Sequence, residues 1–156
     1  MRQLTVEAGV DILSFGGTKN GMMMGEAVVA FRPEIAADLA FIRKQSAQLA
    51  SKLRYLTCQF IPYLSNELWL KNARHANAQA RKLEQILRQY PEIHFTQKVE
   101  SNQLFFTLPT EPLRKLQAEY FFYLWDEAKN EARLVTSWDT TDEDLERFEQ
   151  SLKRAF

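Results

Sequence analysis

The interpretation of this chain depends on the stretch Asp11-Ile-Leu-Ser-Phe-Gly-Gly-Thr-Lys19-Asn-Gly-Met-Met-Met-Gly25-Glu-Ala-Val-Val29. All five glycines of the protein lie between Gly9 and Gly25, and Lys19 stands among them. The apolar runs on either side predict two strands, residues 10–15 and 26–31, joined by a loop. Glycine tolerates positive φ and lets the backbone approach a ligand closely. The stretch therefore predicts a strand–loop–strand unit that presents one lysine.

Lys19 is a candidate nucleophile because a short loop between two strands can hold its amine at one point in space. Such an amine can form an imine with a carbonyl compound, including a carbonyl cofactor such as pyridoxal phosphate. A solvated loop lysine without chemistry is the simpler interpretation of the loop taken alone. Motifs elsewhere in the sequence are needed to distinguish an imine-forming lysine from a solvated one.

The composition is that of a folded globular domain. The chain has 156 residues, 46% apolar and 12% aromatic, which is enough to bury a sizeable core. Twenty basic and twenty acidic residues cancel, so we expect no nucleic-acid partner. No apolar stretch or leader predicts a membrane partner, and we expect a cytoplasmic protein. A single cysteine and two distant histidines predict no metal site.

Two long helices are predicted after the strands. Pro33 suits the first turn of a helix that we expect to run to about Gln59. Pro62 should interrupt it, and a second helix is expected from about Tyr63 to Gln89. The second helix carries one apolar stripe, typical of packing against a core.

The C-terminal part predicts a small antiparallel sheet with helices. Strands are expected at residues 93–99 and 103–108, and at 121–125 and 132–138, the last two forming a hairpin. A short helix should start at Pro109, and a final helix at a capping box of Thr140 and Glu143. The fold class is therefore α+β. Two buried-type strands at residues 10–31 are too few for a sheet covered on both faces, so the chain reads as the C-terminal part of a longer α/β protein.

Several short segments carry a family resemblance in the same order along the chain. Apart from the Lys19 loop, they are Arg43-Lys44, His75-Ala-Asn-Ala78, Glu100-Ser-Asn102 with Leu104-Phe-Phe106, and Ala132-Arg-Leu-Val-Thr136 with Asp139. Together they resemble, from about residue 10 to 156, the low-specificity threonine aldolases. These belong to the beta-eliminating lyase group of fold-type I pyridoxal-phosphate enzymes. Each motif is weak alone, but their order and spacing are specific.

The resemblance implies roles for five residues. Lys19 would carry pyridoxal 5'-phosphate covalently, with Thr18 beside the cofactor phosphate. Arg133 would bind the α-carboxylate of a small amino-acid substrate, a bidentate task that suits guanidinium. Lys44 would reach the phosphate from a partner subunit. Lys52 is the conjectured replacement for an arginine of the family.

The reaction implied by the resemblance is the cleavage of L-threonine and other β-hydroxy amino acids to glycine and an aldehyde. We also expect a homo-oligomer, dimer or tetramer, because a truncated piece should expose surface that the missing domain once covered. The resemblance also divides the chain into a remnant of the cofactor-binding domain at 1–32, a helical connecting segment at 33–90 and a small α+β domain at 91–156.

The sequence departs from the family in two places. Gln45-Ser-Ala-Gln-Leu-Ala-Ser-Lys52 stands where glycines and Met-Arg-Gln are common, and Ser137-Trp138 replaces His-Leu. The family's phosphate-binding turn, ring-stacking residue and aspartate facing the pyridine nitrogen normally precede the lysine, and residues 1–18 hold no substitute. We therefore expect this chain alone to bind the cofactor weakly and to lack useful aldolase activity.

Two alternative functions stay open. The first is a β-eliminating lyase acting on an aromatic or sulfur amino acid. The second is a non-catalytic fragment that folds and self-associates, because large apolar patches rarely stay open to water.

Overall fold

The computed structural model describes residues 2–156, which divide into two compact units, residues 2–69 and Leu70–Phe156. Both units combine helices with antiparallel strands, so the predicted α+β class is confirmed. The three-part division expected from the sequence stays a prediction. No helix formed by the described residues is long and apolar enough to cross a membrane.

The first unit contains the predicted hairpin. Strand β1 (Ile12–Gly16) pairs antiparallel with β2 (Glu26–Ala30), and Ile12 lies opposite Ala30. Adjacent residues of a strand point to opposite faces, and both Val28 and Val29 are exposed. The two-stranded sheet therefore presents apolar side chains on both faces within the first unit.

The single helix predicted from Pro33 to Gln59 is wrong. Three short helices form instead: α1 (Pro33–Ala36), α2 (Leu39–Gln45) and α3 (Leu53–Thr57). Ala47 adopts a left-handed φ of 54° just after α2. No residue from 31 to 59 is buried, so a longer helix would have no packed face to stabilise it.

The interruption predicted at Pro62 occurs a few residues later. Helix α4 (Phe60–Leu64) includes Pro62 in its first turn, where the missing N–H has no helical partner to lose. The break follows at the turn Ser65–Glu67, where Asn66 and Glu67 both have positive φ. Helix α5 therefore spans Leu68–Leu87 rather than starting at Tyr63.

The second unit is a four-stranded antiparallel sheet covered by helices on one face. Its strands are β3 (His94–Phe95), β4 (Gln103–Thr107), β5 (Tyr123–Asp126) and β6 (Glu131–Val135), in the order β3-β4-β6-β5. Helix α6 (Thr110–Glu119) follows Pro109 as predicted, and α7 (Asp142–Ala155) closes the chain. The predicted hairpin forms with shifted bounds, but only two residues of the expected strand 93–99 pair.

Side chains of the sheet alternate between a buried and an outer face. Leu104 and Phe106 of β4 and Ala132 of β6 are buried against the helices. Phe105 and Arg133 lie opposite each other in the register and point to the other face. The sheet thus presents Arg133 on the face that the helices leave uncovered.

The capping box of α7 is one residue later than predicted. Thr141 Oγ1 accepts a hydrogen bond from the backbone N–H of Asp144 at 3.1 Å, and Thr141 N–H donates to Asp144 Oδ2 at 2.8 Å. Thr140 cannot cap the helix because its Oγ1 accepts from the N–H of Ser137 at 2.8 Å. The predicted pair of Thr140 and Glu143 is therefore wrong, although the predicted buried side of Leu145, Phe148 and Leu152 is confirmed.

Candidate active site

The Lys19 loop is a compact turn closed by backbone hydrogen bonds. Gly17 N–H donates to Gly25 O at 3.0 Å, and Met22 N–H donates to Gly17 O at 3.0 Å. Thr18–Asn20 form one turn of 3₁₀ helix that ends at Gly21, whose φ of 105° suits glycine. Lys19 therefore sits at the centre of a short turn at the end of β1.

Two other glycines of the loop leave room for Met22. A Cβ on Gly17 would lie 2.0 Å from Met22 Sδ, and one on Gly25 would lie 2.5 Å from Met22 Cε. The Met22 side chain is buried, whereas Met23 is 88% exposed. The glycine spacing noted in the sequence thus lets one methionine fill the inside of the loop.

The segment from Gln59 to Trp69 anchors the loop on both sides of Gly21. Asn20 Nδ2 donates to the hydroxyl of the buried Tyr63 at 2.6 Å and to Trp69 O at 2.8 Å. Gln59 accepts from Met23 N–H at 2.8 Å and donates to Met24 O at 3.3 Å. The backbone that carries Lys19 is therefore held by partners distant in the sequence.

Sequence reasoning missed Asn20, Gln59 and Tyr63 as residues of the candidate site. Asn20 stands directly after Lys19, and its amide could have been proposed as a loop anchor. Its partner Tyr63 is 43 residues away, and no local pattern connects the two. Only the folded structure shows that they meet.

The Lys19 side chain is exposed, and no carboxylate of residues 2–156 lies within ion-pair distance of it. Thr18 Oγ1 accepts from Gly25 N–H at 2.9 Å and donates to Gly25 O at 3.4 Å, so this hydroxyl takes part in closing the loop. An unpaired amine on an anchored turn can attack an electrophilic carbon when it is deprotonated.

The other two predicted cofactor residues also lie in the first unit. Lys44 is in the last turn of α2, and Lys52 precedes α3; both are exposed. In the part of the chain that the structure describes, neither ammonium pairs with a carboxylate. Their role at a phosphate stays a prediction.

Arg133 belongs to the second unit and lies in the middle of β6 among aromatic residues. Its register partners are Phe105 on β4 and Tyr123 on β5. Its guanidinium carbon lies 5.7 Å from the ring centroid of Trp125. Its Nε is buried without a hydrogen-bond partner, and no carboxylate among residues 2–156 pairs with the guanidinium. This group has donors available for an anionic ligand.

A pocket of about 360 Å³ adjoins this part of the sheet. Its lining includes Tyr120–Tyr123, Arg133–Thr136 and the α7 residues Asp144, Leu145 and Phe148. The pocket is mostly apolar with few polar groups, which is the usual character of a small-molecule site.

Three of the sequence motifs meet in the second unit. Thr136 Oγ1 donates to Ala76 O at 2.7 Å, and Asn102 Nδ2 donates to Thr136 O at 2.8 Å. His75 Nε2 donates to Thr140 O at 2.7 Å. These contacts tie α5, the start of β4 and the end of β6 together just beyond Arg133. The motifs around His75, Asn102 and Thr136 thus support the strand that carries the arginine.

No protein-family model matches the sequence. Two curated proteins that share one description are similar to this chain. A low specificity L-threonine aldolase of Pseudomonas aeruginosa is 39% identical over 145 residues, which are 93% of this chain and 41% of that protein. A protein of the same description from Pseudomonas sp. (strain NCIMB 10558) is 36% identical over 140 residues, 90% of this chain and 40% of that protein. The chain thus spans about two fifths of the length of the relatives it matches.

Solved structures share the fold. Leishmania major threonine aldolase matches 96% of this chain with a TM-score of 0.86 and 28% identity, and the match covers 44% of that chain. Sphingomonas wittichii serine palmitoyltransferase matches with a TM-score of 0.69 at 17% identity, over 96% of this chain and 40% of that chain. The latter likeness concerns the fold alone. Over the length that it shares with these relatives, the chain corresponds to the C-terminal part of the low specificity L-threonine aldolases.

Proposed function

We propose that this chain carries the cofactor lysine and the substrate-carboxylate arginine of an aldolase that cleaves L-threonine and other β-hydroxy amino acids. The observation that carries the proposal is the exposed, unpaired amine of Lys19 at the centre of a doubly anchored glycine turn. The relatives, which are described as L-threonine aldolases, supply the reaction class. The products would be glycine and an aldehyde.

Pyridoxal 5'-phosphate is the cofactor that this proposal requires. The residues present could supply its covalent attachment and part of its phosphate site. Lys19 would hold it covalently through its Nζ. Thr18, Lys44 and Lys52 are the proposed phosphate neighbours, although the Thr18 hydroxyl already bonds to Gly25. When bound, the cofactor supplies an electron sink for breaking the Cα–Cβ bond.

Arg133 would bind the α-carboxylate of the amino acid. Its planar donors match a carboxylate geometrically, and its buried Nε–H has no protein acceptor. A buried donor without a partner is costly, and a ligand carboxylate would remove that cost. Arg133 would thereby orient the substrate rather than take part in proton transfer.

We also propose that residues 1–156 by themselves have little aldolase activity, because they span only about two fifths of the length of the aldolases that they match. The exposed apolar side chains of the first unit, Val28 and Ile61 among them, favour self-association of the chain. Homo-oligomers, and a non-catalytic self-associating role for the isolated chain, are therefore part of the proposal.

The test is to incubate the chain with pyridoxal phosphate, reduce with borohydride, and map the modified lysines by mass spectrometry. We expect Lys19 to be modified in preference to Lys44 and Lys52, and Lys19→Arg to remove that product. Lys71→Arg is the control, since Lys71 is exposed on α5. Equal modification of every exposed lysine would show that Lys19 has no special role.

A product assay with L-threonine separates the functional alternatives. An aldolase releases glycine and acetaldehyde, whereas a β-eliminating lyase releases a 2-oxo acid and ammonia. We expect neither product in quantity from the isolated chain. Efficient threonine cleavage by residues 1–156 alone would refute the proposed inactivity while supporting the reaction class.

A further inference from the structure

We propose that Trp125 is a positioning residue for Arg133, holding the guanidinium on the outer face of the sheet and away from Glu131. The inference rests on the proposed carboxylate-binding function of Arg133. The chain has as many acidic as basic residues, so an arginine that binds a ligand must be kept from pairing with an internal carboxylate.

The first observation is where β5 places Trp125. The pairing of β5 with β6 shifts between Leu124 and Asp126, so Trp125 lies at an irregularity of the ladder. Such irregularities re-aim the side chain that they carry. Trp125 is 58% exposed, so this contact is not a requirement of core packing.

The second observation is what the indole contacts. The Trp125 ring lies 5.3 Å from the Phe105 ring at 78°, an edge-to-face contact. Phe105 is on β4 and Trp125 on β5, with β6 between them in the sheet order. The indole therefore extends over β6, and the guanidinium of Arg133 lies 5.7 Å from its centroid. That distance is within the range of a cation–π interaction.

The third observation is the acidic neighbour that Arg133 does not engage. Glu131 is two residues earlier on the same strand, so both side chains point to the same face, about 7 Å apart along the strand. A long arginine side chain could span that gap. The Glu131 carboxylate instead accepts a hydrogen bond from Thr96 Oγ1, and it forms no ion pair with Arg133.

With the guanidinium on the indole face, its N–H donors stay free of Glu131, and the buried Nε–H is left for a ligand carboxylate. Without the indole, the guanidinium can turn to Glu131, and a ligand then has to compete with an internal carboxylate. Trp125 thus acts through Arg133 and needs no contact with the ligand.

The experiment is NMR of arginine side chains in the full 156-residue chain, titrated with L-threonine. Arg133→Lys assigns the Arg133 Nε–H resonance by its loss. We expect Trp125→Leu to move this resonance before any ligand is added, because the ring current of the indole is lost. We expect it to weaken L-threonine binding by about 2- to 5-fold, equivalent to the ~0.5–1 kcal/mol of an exposed cation–π contact.

Two further variants separate positioning from a general structural effect. Trp125→Phe keeps an aromatic face and should retain most of the affinity. Trp125→Leu combined with Glu131→Gln should recover it, because the competing carboxylate is gone. Trp138→Leu is the matched control, since Trp138 is also exposed and lies outside the two strands that carry Trp125 and Arg133.

The outcomes distinguish this proposal from the proposed function. If Arg133→Lys binds L-threonine as well as the original chain does, the carboxylate role of Arg133 is wrong. If Trp125→Leu leaves both the Nε–H resonance and the affinity as they are in Trp138→Leu, the positioning role of Trp125 is wrong. Loss of affinity that Glu131→Gln does not recover also contradicts it.

Discussion

At the scale of single residues, the candidate site depends on a few polar contacts that hold a short loop. Asn20 bonds to Tyr63 and Trp69, and Gln59 bonds to Met23 and Met24. Tyr63 is buried and also packs against Phe15, with ring centroids 6.1 Å apart. One phenol thus contributes both to the small core of the first unit and to the placement of the Lys19 loop.

Replacing Tyr63 with phenylalanine tests this double role. The ring remains, but Asn20 loses one acceptor, which should cost about 0.5–1.5 kcal/mol of unfolding free energy. The loop should also loosen locally, and trypsin should cleave after Lys19 faster than in the original chain. Urea unfolding and timed proteolysis measure the two effects.

The control for that experiment is Tyr55→Phe. Tyr55 is 62% exposed, and its ring contact is with the neighbouring Arg54. It should change neither stability nor cleavage. Equal cleavage rates after Lys19 in the Tyr63 and Tyr55 variants would mean that the phenol does not hold the loop.

At the scale of elements, the N-terminus of α7 is stabilised by a capping box. Its capping box joins Thr141 and Asp144, and Asp142, Glu143 and Asp144 all lie in the first turn. Hydrogen bonding from the backbone N–H of Thr141, and then from its hydroxyl, lowers the pKa of Asp144 below its ordinary value. The ionised carboxylate is therefore favoured in the folded state.

The sign of the pH dependence follows from that lowered pKa. A folded-state pKa below the unfolded one adds stability that is complete above the unfolded pKa of about 4 and is lost as the pH falls through the folded-state value. Asp144→Asn should therefore lower stability near neutral pH and flatten its decline in acid. Urea midpoints between about pH 7 and pH 2 measure both effects, since the titration falls in that window.

Glu143→Gln is the matched control for this prediction. The Glu143→Gln substitution removes the same charge from the same helical turn, but the Glu143 side chain takes no part in the capping box. Its pH profile should follow that of the original chain. An Asp144→Asn profile that coincides with the Glu143→Gln profile would show that the cap adds no specific pH dependence.

Local sequence patterns predict some helices correctly and others wrongly. The helix after Pro109 is correctly predicted because the proline marks its start, and the buried side of α7 is correctly predicted because its apolar residues recur on one face. The helix predicted from Pro33 to Gln59 is wrong, since its apolar residues find no buried surface within the described chain. The shift from Thr140 to Thr141 arises from one competing hydrogen bond to Ser137.

At the scale of the whole molecule, several large apolar side chains of the first unit are exposed. In the first unit Val28 is 60% exposed, Phe41 69% and Ile61 71%. Exposed apolar surface of this kind favours association with another protein surface. We expect the isolated chain to self-associate through this surface.

Adding charge to this surface tests the association. Val28→Lys should shift the average mass in multi-angle light scattering toward the monomer at a given concentration, with the circular dichroism unchanged. Gln150→Lys adds the same charge at an exposed position of α7 and should leave the mass unaltered. A chain that is monomeric at every concentration before any substitution would contradict the proposed self-association.

Local sequence information is sufficient for the strand–glycine loop–strand unit around Lys19, for the sheet-and-helix class, and for the kinship that the ordered motifs indicate. These features depend on residue order and on spacings of a few residues, which act at short range. The partners of Asn20, the position of Trp125 against Arg133, and the breaks in the helical segment follow from contacts between residues that lie far apart in the chain. Such contacts are selected by packing and by hydrogen-bond competition in the folded protein, so no local pattern could have specified them.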